Sequence, residues 1–193
     1  MDSPQIPTSD PSPDWKSQIA AAFLENRFAE TRKLWAKRIV EEDISLEDLT
    51  DLLFHPEKDV RTQFAWMLGD LCELRPELLA PLLSFLLDEW SEIPVANFHR
   101  SVARILWQTG IPEDRDGEAY DLLIRWLGDP KMPIGTKHYA CEALMKFLGQ
   151  YPELAPEVEL VMREQLGTQT AAFDYRVNKH LAKLAKLNLQ DHE

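Results

Sequence analysis

The feature that most constrains this chain is a recurring alanine set within apolar runs of helical spacing. Ala65, Ala103, Ala140 and Ala182 are separated by 38, 37 and 42 residues. Around Ala65 the run reads Val60, Phe64, Leu68, Leu71, Cys72. Around Ala103 it reads Phe98, Val102, Leu106, and around Ala140 it reads Ile134, Tyr139, Leu144, Phe147. Val177, Leu181 and Leu184 accompany Ala182. Apolar residues every three or four positions define one face of an α-helix. A second helix-length segment precedes each run, at 46–54, 77–90, 118–127 and 153–166. Prolines punctuate the series at Pro56, Pro76, Pro94, Pro130 and Pro152, where a missing N–H and a fixed φ stop a helix. A period near 40 residues built from helix pairs predicts a stacked array, because one pair cannot bury its apolar face alone. The alanine falls where neighbouring helices approach most closely, and a bulky residue there would push the layers apart.

Residues 1–13 carry four prolines and no apolar periodicity, which predicts a flexible leader. Asp14 is a suitable N-cap before Trp15. Ile19, Ala22 and Phe23, then Phe28, Leu34, Trp35 and Ile39, continue at helical spacing, with Asn26-Arg27 as a break. This predicts a pair of capping helices over 14–42 at one end of four helical pairs over 46–188, all within one domain spanning 14–193. Asp59 reads as the N-cap of the second helix of the first pair. With 45% hydrophobic residues the chain can bury a core, and 7 glycines favour helices over sheets. The expectation is an all-α protein. Its start has neither a basic segment nor an apolar one, so it does not read as a secretory signal. The most apolar stretch, 78–87, is interrupted by Pro81 and is too short to span a bilayer. Cys72 and Cys141 both fall in apolar helical runs, which predicts buried free thiols in a reducing, cytoplasmic setting.

The stretch Asp59-Val60-Arg61-x-x-Phe64-Ala65-x-x-Leu68-Gly69 resembles the second helix of a HEAT repeat. The other three pairs keep its apolar spacing without the Val-Arg pair. More narrowly, Glu25-Asn26-Arg27, Phe64-Ala65-Trp66 and Gln169-Thr170-Ala171-Ala172-Phe173 are similar to a family of short bacterial HEAT-like proteins. Members of that family sometimes carry the name adenylosuccinate lyase. The name implies no chemistry here, since this chain lacks the serine-containing, glycine-rich loop of the lyase superfamily. The resemblance implies a right-handed α-α superhelix of the HEAT or armadillo kind, with the second helix of each pair lining a concave face.

Sequence motifs for catalysis are absent. There is no G-x-G-x-x-G, no Walker-type loop, no G-x-S-x-G and no H-E-x-x-H. No histidine–cysteine cluster has ligand spacing, and His138 and His180 are assigned packing or surface roles. The expectation is therefore a protein that is not an enzyme and needs no cofactor or metal. Net charge is −12, which disfavours nucleic acid and anionic lipid as partners unless basic residues are segregated. The alanine register suggests such segregation. Thr62 aligns with Arg100, Lys137 and Lys179, and Trp66 aligns with Arg104, Cys141 and Lys183, with Arg61 and Lys186 nearby. The expectation is a basic concave stripe comprising Arg61, Thr62, Trp66, Arg100, Arg104, Lys137, Lys179 and Lys183, suited to an acidic segment of another protein. A competing expectation comes from HEAT-like DNA-alkylation-repair glycosylases. These use tryptophans, an aspartate and arginines on the concave face, and Trp66, Asp70, Arg104 and Trp107 are the nearest counterparts here.

Overall fold

Asp14 starts the first helix through its carboxylate, which accepts the backbone N–H of Ser17 at 3.1 Å. A computed structural model describes residues 14–190; the leader over 1–13 lies outside the described residues. Helix α1 spans Trp15–Glu25 and α2 spans Ala29–Glu41. The break between them falls at the expected place, where the Asn26 side chain accepts the Phe28 N–H at 2.9 Å. Six longer helices and one short one follow: α3 (Lys58–Leu74), α4 (Leu83–Glu89), α5 (Phe98–Thr109), α6 (Asp116–Gly128), α7 (Ile134–Phe147), α8 (Ala155–Glu164) and α9 (Ala171–Gln190). No strand occurs among the described residues, so the protein is all-helical.

Two of the expected first helices wind more tightly than predicted. Glu47–Phe54 is a 3₁₀ helix throughout. Pro76–Leu82 is also 3₁₀ and passes into α4 only after Pro81, whose ring and missing N–H oppose regular α-helical bonding. The start of α3 also differs. Glu57 holds the N-cap position without a side-chain bond, and Asp59 lies in the first turn, where it pairs with Arg27 at 3.0 Å.

Helices α2, α3, α5, α7 and α9 form a row in which each packs on the one before. The other elements lie behind this row: Glu47–Phe54 packs on α3, Pro76–Leu82 on α3 and α5, and α6 on α7 and α8. The core between the layers is apolar and continuous, with Phe64, Leu68, Val102, Leu106, Leu123, Trp126, Leu144 and Met162 all buried. Ala65, Ala103 and Ala140 are fully buried. Ala182 is exposed instead, because no further described helix packs on the outer side of α9. Leucine at Ala103 overpacks the contact of α5 with its neighbours. The expected loss is about 1–3 kcal/mol, read as a lowered denaturation midpoint. An unchanged midpoint would place Ala103 outside the interlayer contact.

Cys72 and Cys141 are free and buried. Burial pushes both thiols up to about 12. Among the described residues no helix is long and apolar enough to cross a membrane.

A candidate anion-binding face

The exposed side of the α2–α3–α5–α7–α9 row carries three adjoining depressions. The first, about 590 Å³, lies between α3, α5 and α7. Trp66, Gly69 and Asp70 of α3, Arg100 and Arg104 of α5, Tyr139 of α7 and Arg32 of α2 line it. Two glycines set its geometry. Arg104 crosses α3 at Gly69, where an added Cβ would lie 2.5 Å from Nη1. Arg100 crosses α7 at Gly135, where an added Cβ would lie 2.9 Å from Nε. Each arginine can therefore approach the neighbouring helix this closely only because a side chain is missing.

The three arginines are held differently. Arg32 donates from Nε to Asp70 at 2.5 Å and from Nη1 to Gln63 at 3.2 Å, largely out of water. Arg104 pairs with Glu73, whose carboxylate is 59% exposed, so that contact is screened and weak. Arg100 makes no ion pair or side-chain hydrogen bond among the described residues, and its guanidinium sits 5.7 Å from the Tyr139 ring centroid. The rings of the site are partly covered by the protein itself. Arg32 lies 5.5 Å over Trp66, and Tyr139 packs against Trp107 at 5.7 Å and His138 at 5.0 Å.

The second depression, about 550 Å³, lies beside α9 and is lined by Glu142, Tyr175, Arg176, Lys179, His180 and Lys183. It runs into a third with Trp107, Met145, Lys146 and Lys186. Polar contacts join α7 to α9 here. Arg176 lies 3.0 Å from Nε2 of His138, and Nε2 of His180 lies 3.1 Å from Glu142. Burial lowers the His138 pKa, and the adjacent Arg176 adds to the effect. Across the three depressions eight arginine and lysine side chains accompany three carboxylates, Asp70 and Glu142 in the lining and Glu73 paired with Arg104. In a chain of net charge −12 that is a segregated positive field.

The structure brings together Trp66, Arg100 and Arg104 in the first depression and Lys179 and Lys183 in the second. Lys137 is a correction. It is fully buried and donates from Nζ to Gln165, the residue just past α8, at 2.5 Å. The α7 residues lining the depressions are Gly135, Tyr139, Glu142, Met145 and Lys146, so the expected register was off around Lys137 and Cys141. Arg61 is a second correction. Its guanidinium donates to the carbonyls of Pro94 at 2.8 Å, His55 at 3.1 Å and Pro56 at 3.0 Å, so it fastens two loops rather than facing the depressions. Thr62 is half-buried and lines none of the three. Of the glycosylase-like set, Trp66, Asp70 and Arg104 share the first depression, whereas Trp107 lines the third. Sequence reading missed Arg32, Tyr139 and Arg176. Gly69 was a usable signal, since a glycine inside a helical pattern marks a close approach.

Alanine at Gly69 tests this arrangement. The clash is with the far end of a flexible side chain, and a helix interior gains up to about 1 kcal/mol from Gly→Ala. The expected result is a stable fold with Arg104 displaced. A large fall in melting temperature would mean that something other than Arg104 fills the space.

Among the described residues no group of three histidine, cysteine or acidic side chains is placed to hold a metal ion. No family model, curated protein or solved structure matches this chain.

Proposed function

We propose that the protein is a non-catalytic binding module, a short right-handed HEAT-like solenoid whose inner face holds an acidic segment of another protein. The observation that carries this reading is the segregation of eight cations against three carboxylates along the exposed side of the helix row. Like charges gathered on one face repel one another in the free protein. An acidic segment relieves that repulsion and is steered toward the face by the same field. The adjoining depressions suit an extended chain that crosses several helices, which is how helical arrays engage peptides. The test is a fluorescence-anisotropy titration with a labelled glutamate-rich peptide and a lysine-rich control. The glutamate peptide alone should bind, and added salt should weaken it, because exposed charges are screened beyond about 8 Å at physiological ionic strength. Equal binding of both peptides, or binding that ignores salt, removes this reading.

A second reading is nucleic-acid binding by a relative of the HEAT-like glycosylases. It is favoured by Trp66, Asp70 and Arg104 lining one depression. Against it, Asp70 is engaged by Arg32, and the same guanidinium lies over the Trp66 ring. Trp66 itself is 45% exposed, so it is the occupied Asp70 carboxylate that counts against this reading. The first reading therefore predicts no gel shift of single- or double-stranded DNA at micromolar protein in low salt. A shift would reverse the order of the two.

A further inference from the structure

We propose that the depression between α3, α5 and α7 is a subsite for a phosphorylated side chain carried by the acidic segment, an inference that rests on the proposed function above. The lining separates two kinds of cation. The α9 side of the face is mainly lysine, with Lys179, Lys183 and Lys186, whereas every cation of the first depression is arginine. Lysines act as flexible point charges, which suit steering and a tolerant grip on carboxylates. Guanidiniums offer a planar fork of donors that matches the oxygens of a phosphate.

The fork at Arg100 is pre-positioned and vacant. Its stem rests on Gly135, its charge lies over the Tyr139 ring, and no carboxylate of the described residues engages it. Arg104 is one helical turn further along α5, and the exposed Glu73 that pairs with it can yield to a stronger anion. With Asp70 and Glu73 offsetting Arg32 and Arg104, the arginines leave a residual charge near that of Arg100 alone. The depression also reaches Asn97 and Pro133, the residues that precede α5 and α7, and neither helix has a side-chain cap. Each such terminus adds the equivalent of roughly half a positive charge. The residual field is thus close to that needed by a phosphomonoester, which carries about −1.5 to −2 at neutral pH. A single carboxylate would leave part of it unmatched.

The test uses the full chain and three labelled peptides of one acidic sequence, with serine, glutamate or phosphoserine at one central position. The expected result is that the phosphoserine peptide binds at least about tenfold more tightly than the glutamate peptide, the step that 1.4 kcal/mol produces. Two variants then separate geometry from charge. Arg100→Lys keeps the charge and loses the fork. Gly135→Ala keeps Arg100 and displaces its stem. In both, the ratio of phosphoserine to glutamate affinity should collapse toward one, with the helical circular dichroism signal retained. Equal binding of the phosphoserine and glutamate peptides by the unaltered protein overturns the subsite while leaving the acidic-segment reading in place. Failure of all three peptides to bind overturns both. Tighter binding of a phosphorylated oligonucleotide than of the phosphoserine peptide also overturns the subsite as assigned.

Discussion

Replacing Arg100 and Lys183 together by glutamate is expected to abolish binding of an acidic segment, a loss of more than about 100-fold, or about 2.8 kcal/mol. The two residues belong to different depressions of the same face, so the pair samples its length. Both are exposed, and neither makes an ion pair among the described residues, so no buried partner is left uncompensated. Each reversal replaces an attraction by a repulsion of similar size. At an effective dielectric near a protein surface a contact pair amounts to about 4 kcal/mol before screening. The melting temperature should stay close to that of the unaltered protein. Arg104 is the poorer choice for reversal, since a glutamate there would confront Glu73 and disturb the Gly69 crossing. Full affinity in the double variant would move the binding surface elsewhere.

The largest effect on stability is expected from Trp126→Ala. The indole is 2% exposed in α6. It meets Trp90, just beyond α4, edge to face at 5.1 Å, and the His99 ring of α5 lies 6.0 Å away. One side chain therefore joins the end of α4, α5 and α6. Deletion of a buried tryptophan to alanine removes about 3–5 kcal/mol, through lost transfer energy and the cavity left behind. For a domain whose total stability is about 5–15 kcal/mol, that is a large share. A urea melt reads it directly, and a loss below about 1 kcal/mol would mean that the neighbours collapse into the space. A second readout is local. His99 has its pKa lowered by burial, so opening this contact should let it rise toward the ordinary histidine value.

The helices were legible because their apolar faces repeat at three and four residues and because prolines end them. Phe64, Leu68, Val102, Leu106 and Leu144 are buried as that spacing requires. The 3₁₀ winding of Glu47–Phe54 was not legible, since a single turn-rich segment carries the same apolar spacing in either winding. The site was half legible. Arg100 and Arg104 followed from counting along α5, where the alanine register holds. On α7 the same count selected Lys137 and Cys141, both of which are buried. A helix advances 100° per residue, so an error of one or two positions exchanges the solvent face for the core. Lys137 is tolerated inside because Gln165 accepts its hydrogen bond and because burial lowers its pKa. Arg32 escaped notice because it comes from α2, outside the repeat, and reaches Asp70 from 38 residues away. No periodicity encodes a contact between α2 and α3.

Amide and indole NMR shifts on adding a glutamate-rich peptide report whether one face of the helix row binds an acidic segment. Shifts are expected in the Trp66 indole N–H and in the amides of Arg100, Arg104, Tyr139 and 176–183, diminishing as salt is added. The indole of buried Trp126 should stay in place. Shifts centred on the opposite layer, around Leu160 and Arg163 of α8, or a spectrum unmoved by excess peptide, would contradict it.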